Sequence, residues 1–285
     1  MIARFGPAGN GDAFYAAGKK STVEAPAWLQ SLGLNAYEYQ CGRGVRISQE
    51  SAQILGAEAE RCGIQLSLHA PYFISLASAE PEKRDNSIRY ILESARAVSH
   101  MGGTRIVVHP GGLGGLSRRE ATALACTTLR RAQEALDAEG LVNVSICPET
   151  MGKINQLGDL DEVLEFCRID ERFLPCIDFG HLNSRTLGGL NTEEAFAAVL
   201  DRLHKELGAH RASTFHAHFS KIEYTKGGEK KHLTFADTMF GPDPAPLMRL
   251  IRERELIPTF ICESDGTQAE DACELMNLYG GLSHE

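Results

Sequence analysis

The sequence predicts a (β/α)8 barrel, a TIM barrel, formed as a single domain over residues 1–285. Two observations carry this expectation. Short apolar segments alternate with longer amphipathic ones eight times, which favours a closed ring of parallel strands over an open doubly wound sheet. The apolar segments also end repeatedly on ionisable residues: His69 closes LSLH, His109 closes IVVH, Glu149 closes VSICPE, Asp178 closes PCID, His216 closes STFH and Glu263 closes FICE. A barrel of this class points functional side chains from the C-terminal strand ends into one mouth. Strand ends carrying only His, Asp and Glu suggest a polynuclear metal site and hydrolytic chemistry.

The elements follow in order. IARF at 2–5 reads as the first strand, and a helix follows around 24–32 with Pro26 near its start. AYEYQ at 36–40 is the second strand, and 47–63 is an amphipathic helix stopped by Gly63. IQLSLH is the third strand. Ile88, Ile91, Leu92, Ala95 and Val98 form a 3.6-residue stripe along a helix at 81–101. TRIVVH is the fourth strand, followed by a helix at 117–138 with a capping box from Ser117 to Glu120. VNVSICPE, FLPCID, ASTFHAHFS and IPTFICE are the remaining strands. Helices capped by Asp159 and by Asn191 or Thr192, and helices beginning at PAPLMRLIRERE and QAEDACELMNLYGG, complete the alternation. The Gly-rich HPGGLGG lacks the Lys-Ser/Thr ending of a phosphate-binding P-loop and reads as a tight βα turn. The segment from about 220 to 242 is a long loop rich in Lys and Gly, a length usually reserved for function. Its Lys226, Lys230 and Lys231 read as a solvated face, with phosphate contact as the functional alternative.

The composition is that of an ordinary globular protein, with 43% hydrophobic and 24% charged residues. A formal charge of −9 disfavours nucleic acid at first sight, although divalent ions at the mouth would reverse the local sign. None of the eight cysteines forms a C-x-x-C pair, so reduced, buried thiols are expected. The N-terminus has no apolar stretch of the signal-peptide kind, and no run approaches the roughly 18 apolar residues of a membrane span. A cytoplasmic monomer is expected.

The candidate residues are stronger together than singly, because a barrel places all its strand ends in one ring. In D-x-x-H, Asp178 and His181 leave a single strand end with Gly180 in the turn between them. Glu149 would be an unpaired carboxylate at a strand end unless a cation met it. Zinc accepts imidazole and carboxylate together, and a bridging carboxylate can hold two ions about 3.5–4 Å apart.

These segments resemble the endonuclease IV family of zinc-dependent apurinic/apyrimidinic endonucleases, within the wider xylose-isomerase-like superfamily. The motifs are LHAPYFISLAS, HPG, PETMGKINQLGDLDEV, IDFGH, HAHFSK and FICES, in that order over roughly residues 66–265. The resemblance implies metal ligands at His69, His109, Glu149, Asp178, His181, His216 and Glu263, with Glu149 and Glu263 as bridging and catalytic carboxylates. The family completes a third metal position with Asp-x-His, where this chain has GGEKKHLTF. Glu229 and His232 are the nearest equivalents, with a longer acid and a spacing one residue wider. Tyr72 and Phe73 match the place of the family's wedge that enters DNA at the lesion, with the aromatic at 73 a departure from its pattern. The start, ARFGPAGN, departs from the family's His-Val-Ser, and the lesion-penetrating Arg segment has only Arg43 and Arg46 as counterparts.

The resemblance implies two or three Zn²⁺ ions, with Mn²⁺ as an alternative, and hydrolysis of DNA phosphodiester bonds at abasic sites during repair. The competing expectation is a sugar isomerase or epimerase on the same barrel. It would hold one divalent ion through Glu149, Asp178, His216 and Glu263, with a small sugar as substrate. A barrel that only binds metal or a partner protein is a third reading.

Overall fold

A computed structural model describes residues 2–281. Eight parallel strands form the barrel: β1 (Arg4–Pro7), β2 (Ala36–Gln40), β3 (Gln65–His69), β4 (Arg105–Val108), β5 (Ser145–Pro148), β6 (Cys176–Asp178), β7 (His216–Phe219) and a last one after the seventh loop, β10 (Thr259–Cys262). They hydrogen-bond as two four-stranded sheets, β2-β3-β4-β5 and β1-β10-β7-β6. Two single bridges close the ring, Ala8 with Glu38 and Glu149 with Cys176. The main helices around it are Ala25–Ser31, Gln49–Cys62, Pro81–His100, Arg118–Ala138, Leu160–Cys167, Glu193–Thr214, Pro244–Glu253 and Gln268–Gly280.

Local chemistry explains the boundaries. Ser117 accepts from the Glu120 amide while Glu120 returns to Ser117, and Asp159 and Glu162 repeat the arrangement. Gly63 ends its helix at φ 69°, a left-handed position that suits glycine. Thr192, rather than Asn191, caps the long helix at Ala195. Between strands and helices the core is apolar, with Phe166, Phe173, Phe179, Phe196, Phe215, Phe219 and Phe260 fully buried. Seven of the eight cysteines are buried, and all eight are free thiols. No helix among the described residues is long and apolar enough to cross a membrane.

Three sequence expectations shift. The first strand runs over Arg4–Pro7, not 2–5. Residues 212–214 finish a helix, so β7 starts at His216 and continues to Phe219. The seventh loop is not irregular. It folds into an antiparallel hairpin of β8 (Lys221–Thr225) and β9 (Gly228–Leu233). That hairpin docks on the loop after β5, where Ile154 N–H donates to Gly227 O at 3.1 Å and Glu229 N–H donates to Gly152 O at 3.2 Å. The docking needs glycine on both sides. A Cβ at Gly152 would lie 2.6 Å from Glu229 Cβ, and one at Gly228 would run into the Gly152 carbonyl.

Candidate metal centre

The C-terminal strand ends surround a cavity of about 420 Å³ lined by His69, Tyr72, His109, His181, Glu229, His232 and Glu263, with Gln40, Lys153 and Gln156 around it. Glu149 stands at its floor, fully buried just beyond β5. Its two oxygens face different neighbours. Oε2 lies 2.9 Å from His109 Nε2 and 3.3 Å from His69 Nε2. Oε1 lies 3.1 Å from His181 Nδ1 and 3.4 Å from His218 Nδ1. Glu149 joins two donor groups, His69 with His109 and Glu149, and Glu149 with Asp178, His218 and Glu263; His69, His218 and Glu263 also converge across them, and His181 with Glu229 and His232 forms a further group beside them.

His216 does not belong to these groups. The resemblance implied His216 as a ligand, but β7 continues past it, and side chains two apart on a strand share a face one layer apart. His216 therefore sits one layer down, with Nε2 2.8 Å from Glu38 Oε2. His218 takes the place beside Glu149, Asp178 and Glu263. Burial outweighs the Glu38 hydrogen bond and lowers the His216 pKa to about 4, so this imidazole is neutral. Cys176 converges with His216 and His218, but burial pushes its thiol well above the ordinary range and keeps it protonated.

Asp178 ends β6 and caps a short buried helix, Phe179–Arg185, accepting from the His181 amide at 2.6 Å. That helical turn replaces the simple turn read from D-x-x-H and aims Asp178 and His181 into the same space. Gly180 is required where the helix passes the Ser220 carbonyl, which a Cβ would strike.

The hairpin contributes the third group through a local irregularity. In a regular strand, residues three apart face opposite sides. Here the β8–β9 register jumps from Glu223 opposite Lys231 to Tyr224 opposite Glu229, leaving Lys230 as an extra residue. This bulge resets the alternation. Glu229 Oε2 and His232 both approach His181, at 3.5 Å from Nε2 and with the two imidazole centroids 5.3 Å apart. Lys230 reaches back to Glu223 at 2.6 Å, and Lys226, Lys230 and Lys231 are exposed.

The histidine orientations test whether a cation fits. His69 Nδ1 faces the Ala70 carbonyl and His181 Nδ1 the Thr150 carbonyl, each at 2.9 Å. A carbonyl only accepts, so each Nδ1 is the N–H donor, and in the neutral ring Nε2 carries a lone pair. Those lone pairs face carboxylates, which is repulsive unless a proton or metal lies between. His232 Nδ1 is likewise held, by Ser220 Oγ at 2.8 Å. Glu149 Oε1, Asp178 Oδ2 and both ring nitrogens of His218 are buried without a hydrogen-bond partner. Metal-free, protons fill the gap. Burial opposes a charge on His69, but the Glu149 hydrogen bond and charge raise it to about 9. Against the same burial, His181 rises well above the usual histidine range through Asp178, Glu149 and Glu229, and His218 through Cys176 and then Glu263, Glu38 and Glu149. Burial would raise Glu149, yet the His109 and His218 charges hold it well below the usual range. Burial raises Asp178, while the positive neighbours led by His218 lower Glu263 despite its burial. Orphaned oxygens, oriented nitrogens and a borderline N/O donor set fit divalent metal.

Tyr72 and Phe73 are exposed at the rim, 52% and 46% accessible, with ring centroids 4.5 Å apart. Arg43 and Arg46 are exposed and reach none of the donor groups. Three residues near the centre escape a reading of the sequence. Lys153 brings a cation to the cavity, His218 is hidden by the choice of His216, and Glu38 is fully buried beneath the mouth. A carboxylate inside an apolar strand is the available signal for Glu38.

Comparison with known proteins places this geometry. The chain is 35% identical over 254 residues to an uncharacterized protein of Methanocaldococcus jannaschii, covering 89% of this chain and 90% of that protein. It is 27% identical over 214 residues to a probable endonuclease 4 of Thermoplasma acidophilum, covering 74% and 70%. Among solved structures, a D-tagatose 3-epimerase-like protein superposes with TM-score 0.73 at 18% identity, covering 98% and 97%. Endonuclease IV of Thermus thermophilus superposes with TM-score 0.70 at 20% identity, covering 98% of each chain. These two likenesses show the fold and do not separate nuclease from epimerase. Residues 26–279 match the family described as xylose isomerase-like TIM barrel, and the chain belongs to that family.

Proposed function

We propose that this protein is a polynuclear, metal-dependent phosphodiesterase, resembling endonuclease IV and acting at abasic sites in DNA. The observation that carries the reading is the bulged hairpin that brings Glu229 and His232 to His181. In a one-ion sugar enzyme that group, with His69 and His109, would have no metal to hold. Divalent ions bound here, Zn²⁺ by donor chemistry, would supply an acidified water and positive charge for the phosphate. The residues supply the rest. Glu149, with its oxygens turned to separate groups, is suited to bridge two positions. Glu263 faces His218 from the cavity side at 3.5 Å and is placed to hold a proton at the attacking oxygen. Lys153 offers a cation to a non-reacting phosphate oxygen, and Tyr72 with Phe73 present apolar faces to an unstacked lesion. An abasic-site duplex incubated with the fully metal-loaded protein should be incised. A full metal complement without incision would sink the reading.

One observation favours a second reading. Glu149, Asp178, His218 and Glu263 form a complete four-residue group by themselves, sufficient for a divalent-metal sugar isomerase or epimerase. About one tightly bound ion per chain, with turnover of a ketose, would support it over the nuclease.

A further inference from the structure

Directly below the candidate ligands, the barrel interior holds charge where branched aliphatic side chains usually pack. Glu38 on β2 is fully buried there. Ser67 Oγ donates to its Oε2 at 3.0 Å and Gln40 Nε2 to its Oε1 at 3.2 Å. His216 Nε2 lies 2.8 Å from Oε2, and His218 Nε2 lies 3.0 Å from Oε1. Removing a carboxylate from water costs several kcal/mol, so packing alone gives no reason to keep one in this layer.

The orientation of His218 supplies the reason. Three of the other candidate ligands, His69, His181 and His232, each set Nδ1 on a neutral oxygen and turn Nε2 to the cavity, although His181 Nδ1 also lies 3.1 Å from Glu149 Oε1. His218 is reversed. Its Nε2 lies 3.0 Å from Glu38 Oε1, a close charge contact off the line of a hydrogen bond, and its Nδ1 points between Glu149 Oε1 at 3.4 Å and Glu263 Oε1 at 3.5 Å. A negative carboxylate oxygen 3.0 Å away repels a lone pair on Nε2 and attracts a proton there, which favours the tautomer with the lone pair on Nδ1. It also makes the imidazole a stronger donor than a neutral carbonyl would.

We propose that Glu38 is a positioning residue that fixes the tautomer and ring angle of His218 for metal ligation through Nδ1, with His216 and Ser67 holding the carboxylate in place. The proposal rests on the reading that the mouth binds divalent metal, and is independent of whether the substrate is DNA or sugar.

The test is a Co²⁺ titration of the metal-stripped full chain, followed by visible absorption, for the wild type and Glu38→Gln. The expected result is a folded variant, by circular dichroism, whose Co²⁺ affinity falls about 10–100-fold and whose visible bands shift. Equal affinity and an unchanged spectrum would overturn the proposal while leaving the metal reading standing. A wild type that binds no Co²⁺ would overturn both. If Glu38→Gln does not fold, nitrogen NMR of histidine-labelled, Zn²⁺-loaded wild type decides. A proton on His218 Nε2 supports the proposal, and a proton on Nδ1 overturns it.

Discussion

Glu229 Oε2 lies 3.5 Å from His181 Nε2, although the two belong to elements separated by the Glu193–Thr214 helix, β7, β8 and a hairpin turn. The contact depends on Lys230 being squeezed out of the β8–β9 register. Two expectations follow. Glu229→Ala should remove one metal ion per chain by elemental analysis and lower diester hydrolysis at least about tenfold. Deleting Lys230 should leave the metal count unchanged, because Glu-Lys-His on a regular strand again places acid and imidazole on one face. A lost ion in the deletion variant would show that the bulge is not what aligns them.

Glu263 is the carboxylate closest to open cavity among the central group. Glu263→Gln keeps its size and removes its charge. Hydrolysis of a chromogenic diester should fall about 10³-fold, equivalent to roughly 4 kcal/mol, while the thermal midpoint of the metal-free chain moves little. Residual activity within tenfold of wild type would exclude a central role.

The metal-free protein should lose stability in alkali. His69 has a folded pKa of about 9, against an ordinary value of 6.5. A raised histidine contributes stability that is complete below its unfolded pKa and disappears as pH rises through the folded one. Urea unfolding of the chelator-treated chain should therefore show a decrease on the order of 2–3 kcal/mol between pH 6.5 and 9.5. Saturating Zn²⁺ should abolish the decrease by replacing the proton. A flat profile without metal would contradict the proton-filled cluster.

Tyr72 and Phe73 distinguish recognition from chemistry. The double variant Tyr72→Ala, Phe73→Ala removes two exposed rings and no candidate ligand. Incision of an abasic duplex should drop about tenfold or more, since stacking on a base is worth about 1–3 kcal/mol, while a small chromogenic diester is cleaved at an unchanged rate. Equal losses on both substrates would remove these rings from DNA recognition.

The alternation of apolar and amphipathic segments is enough to read the barrel, because each strand is a short apolar run and several helices, such as those begun by Ser48, Ser117 and Asp159, carry their own caps. The candidate site is readable only to the precision of a strand end. HAHF offers two histidines of the same parity, and nothing local says that the strand runs on to Phe219 and drops His216 a layer. The hairpin reads as a loop because its strands are polar, and two adjacent lysines give no sign of which is extruded. Glu38 is visible in AYEYQ, but its partners at Ser67, His216 and His218 lie on distant strands. Such a layer is specified by tertiary packing rather than by any local pattern.

The barrel is hydrogen-bonded as two halves that meet at single bridges, Ala8–Glu38 and Glu149–Cys176. His69, His109 and Glu149 lie on the first half, and Asp178, His181, His218 and Glu263 on the second. An ion held between them would be a fastener as well as a reagent, joining two halves that single bridges alone would leave freer to open. The amides at the joins, Thr150 to Cys176 O and Gly9 to Glu38 O, should report that coupling through hydrogen exchange that quickens when the ion is withdrawn.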